Sequence, residues 1–199
     1  MTAPHSPLAQ ARTLEPDLAA RHSLRQVASE GPVHPQQFRG CVIALCRLSD
    51  QAVCDLRAMM DCVDRQVQGT GVHLRHWWRA IAHLEHLVNS LHRSARIIGR
   101  VRGLGFVDVD GGALFPKAPP TRLAAPKCPP ALTRWRDAFE HLDERLISDD
   151  DDAPLMKSDA AHWLKRSLAY TDLGSWVMQL RDISEGLAAT QVHARKRPV

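Results

Sequence analysis

Two long apolar stripes at helical spacing, laid end to end with a glycine-bearing break between them, constrain this chain more than any other feature. From about Pro35 to Gln68, Phe38, Val42, Leu45, Cys46, Val53, Leu56, Met60 and Val63 recur mostly at three- and four-residue steps, the period that gathers side chains on one face of an α-helix. Pro35 suits a first helical turn, and "QGTG", with Gly69 and Gly71, ends the run. From about Val72 to Arg100 a second stripe follows, built from Leu74, Trp77, Trp78, Ile81, Leu84, Leu87, Val88, Leu91, Ala95 and Ile98. Neither stripe can bury its face alone, so the pair reads as an antiparallel α-hairpin closed by a short turn.

The remainder of the chain is fitted around that hairpin. At 199 residues it is the length of one domain with a sizeable core. Aromatic residues make up 5%, and runs rich in Val, Ile, Thr and Tyr are nearly absent, which disfavours sheets. The expected fold class is all-α: an antiparallel bundle of about four to five helices with one long irregular Gly/Pro-rich connection. Residues 1–34, broken by Pro4, Pro7 and Pro16, read as a loosely ordered N-terminal arm with room for a short helix near Leu18 to Ser29. Residues 35–188 form the bundle, and 189–199, ending "HARKRPV", form a basic tail. Glycines and prolines crowd the stretch from Gly103 to Pro130, where "FVDVDG" offers a brief extended piece and a turn at Asp110-Gly111. Pro129-Pro130 opens a helix expected over Ala131 to Ile147, followed by the acidic loop Asp149 to Asp152. The last helical portion comes in two pieces, "SDAAHWLKRSLAY" and the amphipathic run Leu173 to Leu187.

Charge and cysteine content narrow the function. The net charge of +4 is mildly basic, compatible with phosphate contact without demanding it. The excess is local: "RSARIIGRVR" supplies Arg93, Arg96, Arg100 and Arg102 with no acid, making these the candidate substrate or phosphate contacts. The five cysteines form no Cys-x-x-Cys pair and read as free thiols of a reducing, cytoplasmic compartment. The N-terminus lacks an apolar h-region, and no apolar run approaches a membrane span. "GRVRGLGF" follows a helix and lacks the Gly-Lys-Ser/Thr ending, so it is neither a P-loop nor a dinucleotide fingerprint. No Gly-x-Ser-x-Gly elbow or recognisable cysteine nucleophile appears, and no cofactor is expected.

Histidines on the second helix form a separate candidate. His73 and His76, and again His83 and His86, stand three residues apart, where two imidazoles share a helix face and can clasp a metal ion. His83 and His86 are the candidate ligands, with a carboxylate such as Glu85 and further groups from elsewhere; the His-Glu-x-x-His order of zinc proteases is absent.

The densest polar segment is "RWRDAFEHLDER", Arg134 to Arg145. On a helix, Asp137, His141 and Arg145 form one polar stripe and Arg136, Glu140 and Glu144 another, with Phe139, Leu142 and Leu146 facing the core. Ion pairing along the helix accounts for this composition on its own. The segment Arg136-Asp137-Ala138-Phe139-Glu140-His141 also resembles the Arg-polar-x-x-x-His motif of HEPN domains, all-helical bundles found among bacterial toxins and RNA-cutting effectors. That resemblance implies metal-independent RNA cleavage, with Arg136 stabilising the scissile phosphate, His141 exchanging a proton and Asp137 positioning the pair. It implies a homodimer as well, each subunit giving one motif to a shared cleft. The acids around the motif repel an RNA phosphate, so the leading expectation is a non-catalytic scaffold, regulatory or binding protein with RNA or protein as partner. A HEPN-like RNase and a histidine-based metal-binding protein are the alternatives.

Overall fold

In the computed structural model, residues 6–27, 34–69, 74–115, 128–142 and 154–194 are described. Helix α3 (Gln36–Gln68) and helix α4 (Leu74–Gly103) are the long antiparallel pair expected from the two stripes, and they share the most extensive interface of the molecule. All eight apolar positions of the α3 stripe are buried. On α4 burial begins at Ala80 and Ile81; Leu74 and Trp78, although in phase with the stripe, remain exposed at 60% and 44%. Helix α6 (Tyr170–Ala189) lies against α3 and closes the core with Leu173, Trp176, Val177 and Leu180.

Of the expected N-terminal arm, residues 6–27 are described, and they hold two helices. Helix α1 (Pro7–Thr13) is capped by Ser6, whose hydroxyl accepts from the Ala9 amide at 3.2 Å, and buries Leu8 and Ala11 against α6. Helix α2 (Leu18–Val27) starts on the Asp50 carboxylate of α3, which accepts from the amides of Leu18 at 3.0 Å and Ala19 at 2.8 Å. A carboxylate at a helix start satisfies orphan amides and meets the positive end of the dipole. Arg181 of α6, almost fully buried, bonds Asp50 at 3.1 Å, Asp17 at 3.4 Å and Glu185 at 2.7 Å. Arg57 donates to the carbonyls of Arg12 and Leu14. Four elements, α1, α2, α3 and α6, are thereby tied together.

The fold is predominantly, not purely, α-helical. The segment "SDAAHWLKRSLAY", expected as a helix, is a β-hairpin: β3 (Ala160–Trp163) pairs antiparallel with β4 (Arg166–Ala169), and β2 (Leu155–Met156) adds to the other side of β3. The two-residue turn is Leu164 at φ 52° and Lys165 at φ 58°, both in the left-handed region that a mirror-image hairpin turn needs. Asn-Gly is the sequence signal for such a turn, and Leu-Lys hides it. Trp163 on β3 packs on Trp135 and Phe139 of helix α5 (Pro130–Glu140), with ring centroids 6.2 and 5.6 Å apart; tertiary packing of one tryptophan outweighs the ambiguous local pattern. A second small sheet joins β1 (Phe106–Asp108), the expected extended piece, to β5 (Val192–Ala194) in what was expected to be a frayed tail. Asp108 closes the predicted turn by accepting from the amides of Asp110 at 3.0 Å and Gly112 at 2.6 Å. No helix among the described residues is long and apolar enough to cross a membrane.

Candidate functional site

Helix α5 carries the Arg-polar-x-x-x-His segment and ends at Glu140; Leu142 is again helical, and residues 143–147 of the expected helix lie outside the described residues. Leu132, Trp135, Ala138 and Phe139 turn inward. Arg136 is ion-paired with Glu140 one turn on and with Asp137 at 3.5 Å, the i, i+4 pairing anticipated for a charge-laced helix. His141 occupies the C-cap, with backbone φ −110° and ψ 13°, so it leaves the helical stripe it was expected to share with Asp137. Arg145 lies outside the described residues. His92 of α4 lies within reach of the Arg136 charge: burial first, then the charges of Arg136 and Arg96, push this imidazole below its usual titration range, while Asp137 and Glu140 pull the other way.

Helix α4 presents a different feature on its solvent side. Arg75, Arg79, Ala82, His86, Asn89, Arg93, Arg96 and Arg100 follow one another at alternating steps of four and three residues, which holds them within roughly a 100° arc of a helix turning 3.6 residues per turn. All are exposed except the half-buried Asn89. From Arg75 to Arg100 the ridge runs about 38 Å at 1.5 Å per residue. It contains no carboxylate, and Glu85, on its flank, is the one acid of α4. Among the described residues none of the five ridge arginines makes an ion pair, whereas Arg12, Arg21, Arg136 and Arg181 all do. Of the four arginines singled out from the sequence, Arg93, Arg96 and Arg100 lie on this ridge. Arg102 does not; it turns to the opposite side and lies 4.8 Å over the Phe115 ring. Arg75 and Arg79 were not picked out, although the four-three spacing of basic residues was legible.

Midway along the ridge is the histidine pair. His83 and His86 do converge, but their carboxylate is Asp55 of α3, not Glu85. The Asp55 Oδ1 atom lies 3.1 Å from His83 Nδ1 and 3.9 Å from His86 Nδ1, and one ligating atom from each of the three residues falls within 4.8 Å of the others. Gln51, one turn before Asp55, donates from Nε2 to Oδ2 at 2.8 Å and so leaves Oδ1 for the imidazoles. The Asp55 side chain is 5% exposed and that of His86 63%, so the cluster is rooted in the core and open to water on its outer side. His73 lies outside the described residues, and His76 is not part of the cluster. Asp55 and Gln51 escaped the sequence reading because pairing across two helices depends on the hairpin register, which spacing within one helix cannot supply.

The described cysteines are free. Burial raises the Cys46 thiol to about 12, with Asp50 adding to the effect, which removes it as a nucleophile. Comparison with protein-family models, with curated proteins and with solved structures finds no match to this chain.

Proposed function

We propose that this chain is a non-catalytic nucleic-acid-binding protein that lays the α4 ridge along a phosphate backbone. The observation that carries the reading is the set of five exposed arginines on one face, free of carboxylates and of ion pairs among the described residues. A surface evolved only for solubility intersperses both signs; arginines gathered at both ends of one helix face, with no acid among them, are an electrostatic footprint for a polyanion. Arg93, Arg96 and Arg100 span about 10.5 Å of helix, and a nucleic-acid strand carries a phosphate about every 3.4 Å of its axis. Arginine's fork suits phosphate better than an ammonium does.

Five phosphate contacts give a log–log salt slope of about −4.5 on a duplex or −3.5 on a single strand. Affinity then falls roughly 100- to 500-fold between 50 and 200 mM salt. Fluorescence anisotropy with labelled RNA and DNA oligonucleotides tests this. Arg75→Gln or Arg93→Gln should each lower the slope by about 0.7 to 0.9 without changing sequence preference. Arg102→Gln, off the ridge, should leave it unchanged. A slope that survives replacement of all five ridge arginines would refute the reading.

A second reading is favoured by the imidazole of His92, on which the charges of both Arg136 and Arg96 act. In it the α5 motif cuts the RNA that α4 holds, with Arg136 and His141 acting on the phosphate and Asp137 positioning them, in a homodimer as the HEPN resemblance implies. RNA incubated in EDTA with wild type, Arg136→Ala and His141→Ala decides: cleavage lost in both variants supports it, and intact RNA in every lane leaves the binding reading alone.

A further inference from the structure

We infer that Asp55, His83 and His86 form a divalent transition-metal site at the midpoint of the α4 ridge. The charge of Asp55 calls for a counterpart. A buried carboxylate is costly unless something neutralises it. A neighbouring inward-placed acid of α3, Asp50, is matched by Arg181 and two backbone amides. Asp55 has no arginine or lysine partner among the described residues; its neighbours are the neutral Gln51 amide and two imidazoles. Two histidines and one carboxylate are the donor set of zinc and related first-row ions.

The geometry fits with small movement. Ligand atoms around a tetrahedral ion with bonds of about 2.0 to 2.1 Å are roughly 3.3 Å apart, and around an octahedral one about 3 Å. The Asp55–His83 separation of 3.1 Å already matches, and the 3.9 Å to His86 must shrink by a rotation that its exposed ring is free to make. Gln51 supplies the outer hydrogen bond that ligating carboxylates characteristically receive. Three protein ligands with an open outer side leave room for water or for an oxygen of a bound molecule.

Position along the helix gives the site a task. Between Arg79 and Arg93 the ridge offers Ala82, His86 and Asn89, about 21 Å with no fixed positive charge. Beneath that gap lies the negative Asp55. A divalent ion changes the local charge from −1 to +1 at His86, the residue midway between the two arginines, and presents an open coordination position to a phosphate oxygen. The metal site stands on its own geometry; its coupling to phosphate rests on the nucleic-acid reading above.

The experiment uses the full chain, stripped with chelator and dialysed, titrated calorimetrically with Zn2+ and in parallel with Co2+ followed by its visible absorption. Wild type should take up one equivalent. His86→Ala, a largely exposed position whose fold is checked by circular dichroism, should bind at least tenfold more weakly and lose the Co2+ band. Gln51→Ala should bind about tenfold more weakly, while His162→Ala should match wild type. No uptake by wild type, or uptake unaltered in both His83→Ala and His86→Ala, overturns the site and assigns any bound zinc to other histidines or thiols. Oligonucleotide affinity is then measured with and without one equivalent of Zn2+. A gain in wild type absent from His86→Ala supports the coupling; metal binding with no gain removes the coupling and keeps the site.

Discussion

Helix α6 contains two glycines, Gly174 and Gly186, and replacing each by alanine should move stability in opposite directions. In a helix interior, alanine is favoured over glycine by about 1 kcal/mol through backbone entropy. At Gly186 an added Cβ meets nothing within 4 Å, so Gly186→Ala should stabilise by up to that amount. At Gly174 the same atom would lie 2.5 Å from Leu8 Cα, 2.8 Å from Leu8 N and 3.1 Å from the Pro7 carbonyl carbon. These are backbone atoms of α1 and cannot be relieved by a rotamer change, so α1 must retreat by about 1 Å to restore ordinary contact. Retreat exposes Leu8, whose full burial is worth about 1.5 to 3 kcal/mol, and strains the Arg12 pairs to Asp61 and Asp64, 3.1 and 3.0 Å long. After the propensity gain, Gly174→Ala should cost about 1 to 2 kcal/mol. Urea unfolding of both variants beside wild type measures it, and unchanged m-values confirm that the midpoints report stability. If Gly174→Ala proves as stable as Gly186→Ala, α1 is not docked against α6 as described.

Four further outcomes are expected. Leu164→Asn with Lys165→Gly relieves two non-glycine residues at positive φ and should raise stability by roughly 1 to 2 kcal/mol, read as a thermal midpoint shift. Tyr170→Phe deletes a buried hydroxyl that has no hydrogen-bond partner among the described residues, so its denaturation midpoint should stay level or rise, by up to about 1 kcal/mol. Arg181→Ala should cost about 2 to 3 kcal/mol in the same assay, below the fully buried range because Asp17 and Glu185 reach water. Burial, with nearby cations, holds His22, His34 and His92 below the ordinary histidine range; the unfolded chain therefore binds more protons as pH falls below about 6.5, and stability, full above that value, should decline below it. His34→Gln should flatten that decline in urea midpoints compared at pH 7.5 and 5, and an unaltered pH profile would remove His34 from the cause.

The long hairpin was legible because eight apolar residues of α3 repeat at one period over a run too long for a strand. Residues 160–169 were not, since a stretch as short as "AAHWLKRSLA" fits either period and its turn carries no glycine or asparagine. The anchoring of α1 and α2 was hidden for another reason: it depends on Asp50, Arg57 and Arg181, single polar residues whose partners are distant in sequence. The same holds at the candidate site. His83 and His86 declared themselves by their i, i+3 spacing, but Asp55 is one of several acids on α3, and the hairpin register alone selects it. The arginine ridge was half visible, because its C-terminal cluster is dense in sequence while Arg75 and Arg79 are set apart by thirteen residues of helix.

The seating of α1 against α6 also orders events at the ribosome. Helix α1 ends at Thr13, and the helix that supports it begins at Tyr170. At about 5 to 20 residues per second, the 157 residues separating those two positions take on the order of 8 to 30 seconds to synthesise. Seven residues cannot hold a helix in water alone for that time. Helix α1 therefore lacks its α6 support, with Leu8 and Ala11 uncovered on that side, while α3 and α4 find each other, and its final seating waits on residues made far later.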